Sequence, residues 1–334
     1  MPSHNHADLL TQARDTGQLK DIDLTGEDLS GADFSGLFLT EVRLDGANLS
    51  GANLRETWFK DCSLKDACLI GAELEEARFT SCILDGADLS EVKAEKADFS
   101  GSALDGVRFH RADLSRAELT GCVLGHADFT GALLFRVALA ETDLTAAVFQ
   151  QTDLTLAFAR QAKLAGQRFP GCTLTQAMLD EADLSGADLS GLTIAQAFFA
   201  GADLRGAILE NTQGRYAQFA GTRASQARFG GADLESAVFP GADLSAAQFT
   251  ASHLRGALFS DAICIGVDFT DANLDYADFS RGDLSGARFN GAKLYLACMH
   301  RVDLDQVRLG QGKLSHIRPA DKDLTEAEIW VAPA

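Results

Sequence analysis

An all-β solenoid, a chain wound into short stacked rungs, is the fold class this sequence predicts. Three observations predict it. First, a large apolar residue recurs every five positions, as in Leu19, Leu24, Leu29, Phe34, Leu39, Leu44, Leu49, Leu54 and Phe59. The register runs without an insertion to Leu324 and Ile329. Its only members that are not Leu or Phe are Ala94, Ala159, Ile194, Gly214, Ala224, Cys264, Met299, Pro319 and Ile329. Second, a small residue stands two places before most of them, for example Ala32, Ala47, Ala52, Cys62, Ala67, Ala72 and Cys82. Third, a period of five suits neither regular element. A helix turns each fifth residue by about 500°, which spreads the column around its axis. A strand changes face at every residue, so positions five apart fall on opposite faces and the column cannot stay inside. The chain must turn a corner every five residues, bringing one large and one small side chain inward each time, as a coiled solenoid does.

The units read Ala-Asp-Phe at 32–34 and Ala-Asn-Leu at 47–49, each followed by two freer residues. This pattern resembles the pentapeptide repeat family and covers residues 19–329. The resemblance implies a right-handed quadrilateral β-helix with four five-residue sides, hence twenty residues per coil and nearly sixteen coils. At about 4.8 Å per rung the expected length is roughly 75 Å. The Phe residues support four sides independently. They recur at twenty on two opposite sides: Phe109, Phe129, Phe149, Phe169 and Phe229, Phe249, Phe269, Phe289 on one, and Phe59, Phe79, Phe99 and Phe199, Phe219, Phe239, Phe259, Phe279 on the other. Leu fills most of the remaining two sides.

In chain order, residues 1–18 lack the full motif and are expected to form an N-terminal cap, with a short helix over 6–17 covering the exposed edge of the first coil. Residues 19–329 form the repeat array. The length of 334 residues would suit two average domains, but the unbroken register argues for one. Gly is frequent at the last repeat position (Gly26, Gly31, Gly36), where a corner accommodates it. Gly214 and Ala224 remove bulk from the column. Local repacking, with Tyr216 or Phe158 filling in, is the plainer expectation; a kink near 206–225 is the alternative. At the far end Pro319 breaks the column, and residues 330–334 are a tail. Glu328-Ile329-Trp330-Val331 could close the last coil or meet a second copy, because relatives in this family often dimerise through that end.

Composition narrows the function. The chain has 46% hydrophobic residues and no apolar run long enough for a membrane span. No secretory leader is visible at Met1-Pro2-Ser3-His4, which points to the cytoplasm. A net charge of -19 argues against direct nucleic-acid binding. About half of that charge is the net of the position just before the central residue, where Asp and Glu outnumber Lys and Arg and where Asp and Asn can hydrogen-bond the corner backbone. The resemblance raises a sharper alternative, since certain pentapeptide repeat proteins imitate a DNA duplex to inhibit or protect gyrase or topoisomerase IV. DNA carries one charge per roughly 1.7 Å of axis. This array is sparser, and Arg43, Arg108, Arg168, Arg228 and Arg288 dilute it further.

No catalytic constellation, cofactor motif or metal-ligand spacing emerges. The seven His residues form no HExxH or paired set, and no phosphate loop occurs. Cys62, Cys82, Cys122 and Cys172 occupy the small inward position and read as reduced filler; a Cys62–Cys82 disulfide is the alternative in an oxidising compartment. The informative feature is an apolar column among the outward positions: Ala138, Phe158, Met178, Phe198, Gln218, Val238 and Leu258, with Leu133, Phe135 and Leu156 expected near one end. Stacked side chains can stabilise a sheet by themselves, but a contiguous apolar stripe also marks interfaces. The candidate protein interface is therefore Leu133, Phe135, Phe158, Met178, Phe198, Val238, Leu258 and, at the end, Trp330. The expected function is a non-enzymatic protein-binding scaffold without cofactor. Its partner would be another protein or a second copy docked by the stripe or the C-terminal end. The gyrase-directed mimic is the first alternative. A secretion-system accessory protein is the second, since the family is sometimes encoded there.

Overall fold

The computed structural model describes residues 6–303 together with 307, 308, 317 and 318. The chain winds as a right-handed quadrilateral β-helix in which the β-bridges are parallel and join residues twenty apart, such as Asp23↔Arg43↔Ser63 and Asp28↔Asn48↔Cys68. By internal packing it divides into two compact units, Met1–Met178 and Leu179–Ala334.

One five-residue unit shows why the sequence folds this way. The amide of Leu24 donates to the Arg43 carbonyl at 2.7 Å, and the Arg43 amide donates back to Ile22 at 3.0 Å. The chain then reverses. Glu27 N–H donates to Leu24 O at 3.2 Å, and Gly26, third in that turn, has φ 69°. A positive φ at the third turn residue defines a type II turn, which glycine enters without steric cost. Many corners place other residues there, including Leu156 at φ 59°, Tyr216 at 61° and Ala246 at 57°. Each such residue carries a backbone penalty on the order of 1 kcal/mol, which the hydrogen bonds to adjoining rungs override.

On one side the first coils lengthen into true strands. These are β1 (Gln18–Lys20), β2 (Phe38–Thr40), β3 (Trp58–Lys60) and β4 (Arg78–Thr80), a parallel sheet in that order. Helix α1 (His6–Thr16) precedes β1 and packs against it. Ala13 of α1 is buried, Arg14 Nη2 reaches Asp33 Oδ2 at 2.7 Å, and Gly17 at φ 73° turns the chain out of the helix. Gly17 O accepts from Phe38 N–H at 3.0 Å.

The core holds the central Leu and Phe column and the Ala, Cys and Val column, nearly all buried. In the first unit Phe59, Phe79 and Phe99 stack at 4.6 and 4.8 Å, and Phe109, Phe129 and Phe149 stack at 5.3 and 5.4 Å. These two ladders occupy successive levels and meet in one edge contact, Phe99–Phe109 at 6.1 Å. In the second unit they overlap. Phe199, Phe219, Phe239, Phe259 and Phe279 stack on one side, Phe229, Phe249, Phe269 and Phe289 on the other. The ladders interlock edge-to-face, as Phe239 does with Phe229 at 6.1 Å and with Phe249 at 5.8 Å. Hydroxyls at the small inward position are satisfied: Thr57 Oγ1 donates to Phe34 O, Thr152 Oγ1 to Phe129 O and Ser252 Oγ to Phe249 O.

The gaps in the column close differently from the sequence expectation. Tyr216 is 53% exposed and Phe158 is 40% exposed, so neither fills the core. Ile194 and Leu234 instead lean into the space above and below Gly214; a Cβ there would lie 2.9 Å from Leu234 Cδ2 and 3.0 Å from Ile194 Cγ1. The ladder is unbroken, with Gly214 N to Asp233 O and Ala224 N to Asp243 O both at 2.7 Å. Local repacking, the plainer expectation, thus occurs through Ile194 and Leu234, and the backbone ladder runs on through the rungs where a kink was the alternative. Pro319 and Glu328–Val331, with Trp330, lie outside the described residues.

Candidate interaction surfaces

The outward residue before each central position decides what a side of the solenoid presents. Where it is Asp, one carboxylate oxygen accepts the amide two residues on, as Asp23 does from Thr25 at 3.0 Å and Asp143 from Thr145 at 3.2 Å. Hydroxyl donors often add a second bond, such as Ser35 Oγ to Asp33 Oδ1 at 2.7 Å. These bonds from Ser35, Thr145 and Ser285 hold Asp33, Asp143 and Asp283 below the usual carboxylate range. The other oxygen often meets a cation one rung away: Arg43 with Asp23 at 3.3 Å, Lys93 with Glu73 at 3.0 Å, Arg108 with Asp88 at 2.9 Å, and Arg288 with Asp268 at 2.7 Å. Many of the repeat's carboxylates thus serve corners and vertical ion pairs as well as the surface.

Apolar ladders interrupt this pattern. In the first unit Ala138, Phe158 and Met178 pair in register, next to the charged run Arg78, Asp98 and Glu118. Phe158 is exposed, and Ala138 and Met178 are half-buried. In the second unit Phe198, Gln218, Val238 and Leu258 pair in register and end at Asp278, with Phe198 and Leu258 exposed and Val238 half-buried. Leu133 is exposed, but it sits between Asp113 and Asp153 in a different ladder. Phe135 lies at the corner beyond it, half-buried, with the Arg136 guanidinium 5.5 Å from its ring. Near the N-terminal end Phe38 and Trp58 are 5.4 Å apart and Arg78 lies over the Trp58 ring at 5.9 Å.

Sequence reading missed two groupings that the twenty-residue step reveals. One is an apolar ladder on another side of the first unit, Ile83–Ala103–Val123, where Val123 is 60% exposed. The other is polar. His253 stacks one rung from Asp233, with Nδ1 3.2 Å from Asp233 Oδ1, and Glu235 lies beside them. Local His motifs cannot show this pairing, because its spacing belongs to the coil.

The buried thiols differ, for the contact with the Cys82 thiol lowers Cys62 while other buried thiols are raised. All seven Cys are free. Burial pushes Cys122 up to about 12 and raises Cys172 and Cys264, while the adjoining Cys62 thiol and burial together raise Cys82. Among the described residues no helix is long and apolar enough to cross a membrane.

Two family models match the chain. One, a pentapeptide repeat region, covers residues 72–149. The other, pentapeptide repeats in eight copies, covers 28–66, 160–192, 182–213, 217–256, 252–291 and 274–311. Among solved structures, HetL, a pentapeptide repeat protein involved in heterocyst differentiation regulation from the cyanobacterium Nostoc sp. strain PCC 7120, is 24% identical. That match covers 86% of this chain and 94% of HetL, with a TM-score of 0.30. Full-length QnrB1, a plasmid-mediated fluoroquinolone resistance protein, is 17% identical over 83% of this chain and 93% of its own, with a TM-score of 0.16. Rfr23 from the cyanobacterium Cyanothece 51142 is 18% identical over 38% of this chain and 97% of its own, with a TM-score of 0.25. No curated protein matches the chain.

Proposed function

The chain belongs to the pentapeptide repeat family, and we propose that it is a non-enzymatic scaffold that binds a protein partner through its outward apolar ladders. One observation carries this reading: Phe158 and Met178 pair in register in the first unit, and Phe198, Gln218, Val238 and Leu258 pair in register in the second, among ladders many of which carry Asp–Arg and Glu–Lys pairs. Burying such rings against a partner removes apolar area from water, at roughly 25 cal/mol per Å². The solenoid has already paired the backbone behind them, so little ordering cost remains. The vertical ion pairs set cations among the carboxylates, and this alternation of sign, not any loss of net charge, weighs against the gyrase-directed mimic. Seven free thiols agree with a reducing, cytoplasmic setting.

The test pairs Phe158→Ser with Phe198→Ser. Both side chains point outward, so the double variant should keep the wild-type circular dichroism and melt within a few degrees of it. In a pull-down from the native host it should lose the partner that the wild-type protein retains. Retention of that partner at equal yield would remove the ladders from the interface. Sizing of both proteins separates a second copy from a foreign partner.

A further inference from the structure

The second unit carries a group of donors unlike its other polar ladders. Asp233, Glu235 and His253 each direct one ligand atom into a space where those atoms lie within 4.8 Å of one another. The backbone fixes two of the three. Asp233 and His253 are bridge partners on successive rungs of the ladder Gln213–Asp233–His253–Asn273, and Glu235 follows Asp233 by two residues at the same corner. The three residues are half-buried, so solvent can complete a coordination shell.

A cation already occupies the mouth of this group. Arg215 Nε lies 2.8 Å from Asp233 Oδ2 and Arg215 Nη1 lies 3.1 Å from Glu235 Oε2. Arg255, which follows His253 as Glu235 follows Asp233, is drawn aside over the Tyr276 ring at 5.0 Å. Arg215 is on a long, exposed stem and can swing away without disturbing a rung. Other histidine–carboxylate contacts, His110–Asp128 at 2.8 Å and His126–Asp105 at 3.0 Å, make no such three-donor group.

We propose that Asp233, Glu235 and His253 form a binding site for a divalent transition-metal ion, which Arg215 closes when the metal is absent. One imidazole and two carboxylates suit zinc, cobalt or nickel, whereas magnesium and calcium prefer oxygen donors alone. The metal takes the place of the guanidinium as counter-charge for the two carboxylates, and Arg215 turns outward. Binding therefore exchanges one cation for another across two rungs.

The experiment titrates zinc chloride into chelator-treated full-length protein by calorimetry, and follows cobalt(II) by its visible absorption. His4→Ala and His6→Ala are present throughout, so that the N-terminal histidines cannot supply a site. One zinc per chain is expected, with magnesium inert. His253→Gln should weaken zinc binding at least about tenfold and abolish the cobalt band, and Arg215→Gln should tighten binding about tenfold. Each variant must keep the wild-type melting curve without metal. If the band and affinity survive His253→Gln, or if Arg215→Gln leaves affinity unchanged, the site is not the one described. If zinc binds only after Arg215→Gln, the native group is a plain ion pair.

Discussion

At Ala246 and Ala251 the corner backbone stands at φ 57° and 55°, in a region that a side chain disfavours and glycine does not. At many corners this position has open space around it, although at Gly86, Gly231 and Gly291 a side chain of the preceding coil crowds it. Gly26, Gly31 and Gly36 occupy it with nothing within 4 Å of where a Cβ would lie. The usual advice to replace glycine by alanine therefore reverses here. Ala246→Gly and Ala251→Gly should each stabilise the protein by about 0.5–1 kcal/mol, read as a shift of the urea midpoint at unchanged slope. A loss of stability would show that the unfolded chain's added freedom outweighs the relieved strain. Sequence could locate these corners, because Gly clusters at one place in the repeat. It could not say which neighbours fill the space at Gly214, since that depends on how Ile194 and Leu234 lean into one level of the core.

Among the elements, the ladders carry the packing. Phe239 stacks on Phe219 and Phe259 at 4.7 and 4.9 Å and meets Phe229 and Phe249 edge-on. Phe79 stacks on Phe59 and Phe99 but makes no edge-on contact with an opposite ladder. Both are fully buried, so truncation of either leaves a cavity. Phe239→Ala should cost about 3–5 kcal/mol and Phe79→Ala about 1 kcal/mol less, because edge-to-face pairs add to burial. Chemical denaturation of the two variants checks the order; equal losses would mean that the crossed contacts add nothing. The twenty-residue spacing made both ladders legible before any coordinates. Helix α1 was legible as a departure from the motif, whereas its anchor, Arg14 on Asp33, was not. That pair joins the cap to a side of the first coil, and no local pattern in residues 6–17 encodes it.

For the whole molecule, the net charge of -19 is what remains after every Lys and Arg is counted, so vertical pairing rearranges the acidic field without reducing its total. Exposed pairs such as Arg43–Asp23 and Arg108–Asp88 add little to stability because solvent screens them. Their larger effect is to break the acidic field into alternating signs. Purified protein at micromolar concentration should leave gyrase supercoiling and its quinolone sensitivity unchanged; inhibition or protection would restore the mimic reading. How the carboxylates are spent lay partly in the sequence, because Asp just before a central residue implies a corner bond. The vertical pairing with Arg needed the coil. So did the separation of Leu133 from the Phe158 ladder, because neighbours on the surface are residues twenty apart more often than residues five apart.

The coil of twenty also sets the unit in which such a gene can lengthen or shorten. Excising residues 230–249 would splice one rung to the next but one. Phe229 would then inherit Phe269, and Phe219 would inherit Phe259, so every interior column would keep its kind of side chain. Excising only 230–234 would turn everything downstream by a quarter of a revolution and set Leu254 where a phenyl ring had been. Whole-coil duplications and deletions are thus nearly silent to the core while they move surface groups toward or away from one another. Length in this architecture is a variable that evolution can adjust in fixed quanta, independently of the chemistry written on each side.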